Sequence, residues 1–250
     1  MSVTAIIPAC RLPYGVRSLN AQDIAVRVLV LSNGGGPQQV PGAEVHRVEW
    51  AGHGATRQAA ISKVDTEYVF FTVDDAVCLG TDCIRTMVEA LEAGSWDAVI
   101  AQQMPQADAD PITIDRLRNW TPPGESVVQT KQVDHVATLY RTETLRHHPL
   151  PPVPIAEDAW WSLGRRVGYV PMARVLHSHS RSPGALYQRN RAIHAELIRM
   201  GHPAKVPNLP ALLRALPGLV QPVIKAGPRE LGNQLAELVG QWHGSREARR

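Results

Sequence analysis

Four short polar clusters in this 250-residue chain have the types and spacing to do chemistry. Asp74-Asp75 follows the apolar run YVFFTV at 68–73. Two carboxylates leaving a buried strand suit a hard divalent cation bound through oxygen, with a diphosphate completing its shell. Adjacent Asp residues are also common in turns and helix caps. Glu157-Asp158 opens the helix-like run EDAWWSLGRRVG. Capping and the helix dipole alone favour acids there, and a carboxylate held beside a hydroxyl can also take its proton as a general base. His177-Ser178-His179 ends the strand-like run YVPMARVLHSHS. Residues i and i+2 share a face of a strand, so these imidazoles can ligate a metal, hold a phosphate or serve structure alone. Gly52-His53-Gly54-Ala55-Thr56-Arg57 is a glycine-spaced helix start of the kind that receives phosphate, with Arg57 as its pairing charge. Neither this segment nor NGGGPQQ has the G-x-G-x-x-G spacing, and there is no Walker lysine.

The elements that must position these clusters alternate. VTAIIP (3–8), VRVLVL (26–31), VHRVEW (45–50), YVFFTV (68–73) and DAVIA (97–101) read as strands. ATRQAAISKV reads as a helix, and so does the segment after Thr81 and Asp82, with Ile84, Met87, Val88 and Leu91 on one face and Gly94 at its end. Alternation of this kind predicts an α/β fold, a doubly wound, mainly parallel sheet flanked by helices. Residues 105–132 read as a long polar excursion. VDHVATLY (133–140) resumes strand character, residues 157–168 read as a helix, 169–180 as a strand and 184–201 as a helix. The expected division is a domain over 1–202, with halves 1–104 and 105–202, and a helical C-terminal tail over 203–250.

Composition narrows the classes. Hydrophobic residues make up 44%, enough for a full core. Aromatics are 5% and the net charge is +3, which argues against a nucleic-acid partner. Charge concentrates at the end: residues 205–250 hold seven Lys/Arg against three Glu. The cysteines Cys10, Cys78 and Cys83 form no zinc spacing, and an odd, small number fits a reducing compartment. MSVT runs directly into a strand, so no signal peptide is expected, and no run of about 18 apolar residues predicts a membrane span. In the tail, apolar residues recur at three- and four-residue spacing from Leu209 to Ile224, broken by Pro217 and Pro222, and again from Leu231 through Leu235, Leu238 and Val239 to Trp242. These stripes either pack on the domain or a second copy, or meet an anionic membrane with the basic end beside it.

Taken in order, the strand ending in Pro8, VRVLVLSNGG, GHGATRQAA, YVFFTVDDAV and AEDAWWSLGRRVGYVPMARVLHSHS resemble the inverting glycosyltransferase family 2 with the GT-A fold, over roughly residues 3–200. The late series Glu157, Asp158, Trp161, Arg165 or Arg166, Gly168, Tyr169, Pro171, Ala173, Val175, His177 and His179 looks closest to bacterial rhamnosyltransferase-like members. The chain departs from the family pattern at three points. Val73 stands at the first position of the usual D-x-D, Gln58 follows Arg57 where Asn is usual, and Asn33 replaces an acidic residue in the second-strand turn.

The resemblance implies transfer of a sugar, such as the deoxysugar rhamnose, from a nucleoside-diphosphate donor to an acceptor hydroxyl with inversion, assisted by Mg²⁺ or Mn²⁺. It places Pro8, Ala9, Asn33, Arg57, Asp74 and Asp75 at the nucleotide sugar, and Asp75 with His177 at the metal. Asp158 becomes the catalytic base with Glu157 beside it, and Trp160 or Trp161 with His179 lines the acceptor or sugar site. The acceptor is a glycan, a lipid-linked intermediate or a small molecule. The expected location is the cytoplasm or, through the tail, the inner face of the membrane. Two other readings fit the pattern. One is a non-catalytic nucleotide-sugar-binding protein of the same fold. The other is a sugar-nucleotide pyrophosphorylase, although PACRLPYG lacks the glycine-rich basic loop that such an enzyme needs.

Overall fold

The apolar runs become strands buried on both faces. In β1 (Ser2–Ala9), Val3, Ala5, Ile7 and Ala9 join one apolar cluster and Ile6 the other; in β4 (Tyr68–Thr72), Tyr68 and Phe70 separate in the same way from Val69 and Phe71. Alternation of side chains across a strand with both sets apolar is what a sheet covered by helices on either side requires. The computed structural model describes residues 1–131, 133–179, 182–201 and 228–249, so the apolar run 209–224 lies outside the described residues.

Among the described residues, nine strands form one sheet. Besides β1 and β4 these are β2 (Ala25–Ser32), β3 (Glu44–Arg47), β5 (Val77–Leu79), β6 (Ala98–Met104), β7 (Val128–Thr130), β8 (Ala137–Arg141) and β9 (Val167–Leu176). The order is β3-β2-β1-β4-β8-β6-β9-β5, with β7 also pairing β9. Strands β1, β2, β3, β4, β6 and β9 point one way; β8, β5 and β7 run against them. This is the mainly parallel α/β sheet expected. Because β8 is reversed, its start lies at the edge where β4 and β6 end: Thr72 pairs with Ala137, and Ile100 with Thr138.

The helices are α1 (Val16–Asn20), α2 (His53–Ile61), α3 (Cys83–Ala93), α4 (Pro111–Trp120), α5 (Thr142–His147), α6 (Glu157–Trp161), α7 (Pro183–Arg199) and α8 (Pro228–Glu247). The amphipathic α3 buries Ile84, Met87, Val88 and Leu91, as its spacing predicts. Three readings need correction. The polar excursion 105–132 contains α4 and β7. The helix expected over 157–168 stops at Trp161, because Gly164 turns the chain at φ 72° and β-branched Val167 starts β9. Strand character expected from residue 133 begins at Ala137, since Asp134 folds back to cap the turn before it.

The chain divides into two compact units, Met1–Gln106 with Leu117–Ser178, and Ala107–Arg116 with His179–Arg250. The first holds the sheet. In the second, α7 and α8 pack closely through small residues: a Cβ at Gly240 would stand 2.5 Å from the Tyr187 carbonyl, and one at Gly244 2.1 Å from that of Arg191. Leu231, Leu235 and Val239 of α8 remain 36%, 39% and 38% exposed. Among the described residues no helix is long and apolar enough to cross a membrane.

Candidate functional site

The chemistry gathers at one edge of the sheet. Asn33 follows the end of β2, Asp74 and Asp75 the end of β4, and His177 the end of β9, while Asp134 and His135 precede reversed β8. Ligands of open α/β sheets bind at this carboxyl edge. Pro8 and Ala9 close β1 beside Leu31 and Ser32 of β2, and the Asn33 amide donates to the Ala9 carbonyl at 3.0 Å.

The acidic pair at α6 sits in a buried network. Arg57 Nη1 donates to Glu157 Oε1 at 2.7 Å, and His135 Nδ1 lies 2.9 Å from the same oxygen. His135 Nε2 is 2.9 Å from the Tyr140 hydroxyl, so the imidazole is held at both nitrogens. All four side chains are buried. Burial opposes charge on Glu157, but the His135 bond and the Arg57 charge outweigh it and hold the carboxyl down at about 2. Burial first, and then the Glu157 charge, pushes half-buried Asp158 the other way, up to about 6. Neighbouring acids driven apart in this way are divided into a fixed anion and a titratable base. Asp158 Oδ1 accepts from the Ala159 amide at 2.7 Å.

Local backbone explains how the pair is placed. Ala156, just before it, is the one non-glycine residue at positive φ among the described residues, at φ 64° and ψ 22°. Such a conformation persists when surrounding contacts impose it. Gly52 and Gly54 let α2 approach the loop before α6: a Cβ at Gly54 would stand 1.9 Å from the Pro151 carbonyl. The His53 and Gly54 amides donate to Pro154 and Val153. These two amides at the helix start are therefore engaged by the loop, and the glycine spacing serves to bring Arg57 to Glu157. Arg57 Nε has no partner among the described residues.

The second cluster is Asp75 with His177. His177 Nε2 lies 3.6 Å from Asp75 Oδ1, and both side chains are nearly buried. Gln103 Nε2 donates to Asp134 Oδ2 at 2.7 Å, which turns Gln103 Oε1 toward His177 Nδ1 at 3.1 Å. An amide oxygen only accepts, so Nδ1 carries a hydrogen, and Nε2 is the ring nitrogen turned toward Asp75. A carboxylate oxygen and an imidazole nitrogen 3.6 Å apart are groups that can hold a metal ion. Arg11, in the loop after β1, pairs with both acids: Nε lies 2.9 Å from Asp74 Oδ2, and Nη2 2.7 Å from Asp75 Oδ2.

Asp134 and His135, adjacent in the chain, tie the clusters together, one through Gln103 to His177 and the other to Glu157. Of the two tryptophans, Trp160 is 38% exposed, whereas Trp161 is 1% exposed, donates to the His148 carbonyl and packs edge-on against Tyr140 in the core. His179 is half-buried and begins the second unit. Sequence reasoning missed Arg11, Gln103, Asp134 and His135. The signals for three of them were a polar pair directly before an apolar strand and a glutamine inside a strand core.

No family model matches the chain. It is similar to the O-antigen chain rhamnosyltransferases RfbN of Salmonella typhimurium, 28% identical, and WbaN of Salmonella anatum, 25% identical; each match covers 55% of this chain and 49% of the relative. The chain thus spans about half the length of the curated relatives it matches. Three solved structures share its fold. The Pyrobaculum calidifontis mannosyltransferase PcManGT, in complex with GDP-Man and Mn²⁺, matches with TM-score 0.57 and 15% identity, covering 98% of this chain and 73% of that one. GalNAc-T7, with UDP, GalNAc and Mn²⁺, matches with TM-score 0.58 and 11% identity, covering 86% and 53%. Staphylococcus aureus TarS 1-349, with UDP-GlcNAc, matches with TM-score 0.53 and 13% identity, covering 100% and 92%. The fold is that of the GT-A glycosyltransferases.

Proposed function

We propose that this chain, built on the GT-A fold, is a glycosyltransferase that moves a sugar from a nucleoside-diphosphate donor to an acceptor hydroxyl with inversion. The observation that carries the reading is the single edge at which an oriented Asp75–His177 pair and the split acids Glu157 and Asp158 are joined through Asp134 and His135. A deoxysugar donor such as rhamnose follows from the Salmonella relatives. Acceptor and linkage stay within the class of hydroxyl-bearing glycans, lipid-linked intermediates and small molecules.

In this mechanism Asp158 takes the acceptor proton as its oxygen attacks the donor's anomeric carbon. A carboxyl near 6 is ionised at neutral pH yet basic enough to receive that proton. Glu157, fixed as an anion by Arg57 and His135, keeps Asp158 basic and does not itself exchange protons. Asp75 and His177 would hold Mg²⁺ or Mn²⁺, which when bound offsets charge on the departing diphosphate. Pro8, Ala9 and Asn33 border the base and ribose, Asp74 and Asp75 the diphosphate, and Arg57, buried against Glu157, stands on the donor side. Exposed Trp160 lines the acceptor or sugar site, the role that the resemblance also gives His179. Residues 1–202 supply the catalytic domain, the donor on 1–104 and the acceptor on 105–202, with 203–250 as its tail.

The exposed Leu231, Leu235 and Val239 on α8 support a contact made by the tail, with an anionic membrane surface at the cytoplasmic face or with a second copy. Metal-dependent hydrolysis or transfer of a sugar nucleotide tests the enzyme. Nucleotide binding without turnover, for any donor and acceptor class, leaves the binding protein of the same fold.

A further inference from the structure

Arg11 stands outside every role assigned above, yet it touches both acids at the end of β4. Its Nε is 2.9 Å from Asp74 Oδ2, and its Nη2 is 3.2 Å from Asp74 Oδ1 and 2.7 Å from Asp75 Oδ2. The loop that carries it is clamped to the same turn. Tyr14 N–H donates to the Asp74 carbonyl at 2.8 Å, and a Cβ on Gly15 would stand 2.1 Å from the Ala76 carbonyl. The guanidinium is thus anchored at backbone and side chain. It is not consumed: of its five N–H groups the acids take three, and Nη1 makes no hydrogen bond among the described residues. The side chain is 51% exposed. Asp75 meanwhile is shared, with Oδ2 on Arg11 and Oδ1 facing His177.

A guanidinium fixed by two carboxylates, with a free donor edge in solvent beside a cation pair, suits an anion with several oxygens, because the planar fork matches phosphate geometry and its orientation is set beforehand. The geometry points to Arg11 as a diphosphate ligand, anchored by Asp74 and Asp75, whose charge also holds down the affinity of the Asp75–His177 pair for a divalent ion until diphosphate arrives. Asp74 then has a definite task, to hold Arg11. The inference rests on the nucleoside-diphosphate reading and adds to it a residue and a sign.

The sign makes it testable, because one substitution moves two affinities in opposite directions. In the 250-residue chain, Arg11→Ala is expected to weaken dTDP, UDP or GDP binding in saturating Mg²⁺ by at least about tenfold, the scale of a lost charge-assisted hydrogen bond. The same variant is expected to bind Mn²⁺ alone, read by electron paramagnetic resonance, several-fold more tightly, since a positive neighbour is gone. Arg11→Lys keeps the charge and loses the fork, so it should leave Mn²⁺ affinity near wild type while still weakening the nucleotide. Unchanged nucleotide affinity in Arg11→Ala overturns the inference. So does a parallel loss of both affinities, which marks Arg11 as a structural staple. A wild-type chain that binds no nucleoside diphosphate sinks the glycosyltransferase reading itself, and this inference with it.

Discussion

Arg57 and Glu157 meet at 2.7 Å in the buried interior, and the same Glu157 oxygen also takes His135, so one carboxylate atom organises two basic side chains. Arg57→Met removes one partner and leaves the other buried. Breaking such a pair costs about 3–5 kcal/mol. For a chain of this size that lowers Tm by at least about 6 °C. Scanning calorimetry of the variant checks this; an unchanged Tm means that the pair is solvated in solution.

Asp158→Asn should bind donor as wild type does and turn over at least ~100-fold more slowly, the scale of a lost general base. Single-turnover kinetics with saturating donor measures it. Normal turnover here, with Glu157→Gln inactive, would reverse the roles of the two acids.

The pH dependence follows from the same split. Asp158 acts only when ionised, so kcat should fall tenfold per unit below about 6 and level off above it. Glu157→Gln removes a neighbouring anion and should move that limb down by about one unit. Stability carries the opposite signs. Glu157, depressed to about 2, stabilises the fold above the ordinary carboxyl value of about 4.3, and this contribution is lost as pH falls toward 2. Asp158 is raised, so the charge it acquires toward and above 6 works against the fold. A flat kcat profile between pH 5 and 7, with chemistry rate-limiting, contradicts this assignment.

Divalent metal should tighten nucleoside diphosphate binding, and Asp75→Ala or His177→Ala should abolish the coupling. Calorimetric titration with Mg²⁺ and with EDTA decides it. Equal affinities under both conditions, in wild type and variants alike, remove the metal from the mechanism.

For the tail, Leu231→Gln, Leu235→Gln and Val239→Gln together alter exposed positions and should leave Tm within about 2 °C. Salt-sensitive sedimentation with anionic liposomes, lost in this triple variant, supports a membrane contact. A shift from dimer to monomer without liposome binding supports self-association, and an effect on neither removes the stripe from both.

What could be read from sequence divides by range. β4 was legible because five consecutive apolar or β-branched residues leave no other reading, and α3 because Ile84, Met87, Val88 and Leu91 repeat at helical spacing. The three residues of β5 and the five of α1 are too few to show a period. The acids stood out as pairs in sequence. His135 and Gln103 did not, since their meaning lies in partners 22 and 74 positions away. The glycines of α2 stood out in sequence, but the loop at 151–154 that they admit lies about one hundred positions away and shows only in the fold.

The separation of Arg57 from Glu157, one hundred positions, sets an order of events during synthesis. At roughly 5–20 residues per second, a ribosome delivers Glu157 about 5–20 s after Arg57. Asp75 and His177 are separated by a similar stretch. A nascent chain that has emerged only to the end of β6 holds β1 to β6, but its Arg57 lacks Glu157 and its Asp75 lacks His177. That segment cannot bury Arg57 without leaving its charge unpaired, so closure of the interior around Arg57 waits for Glu157.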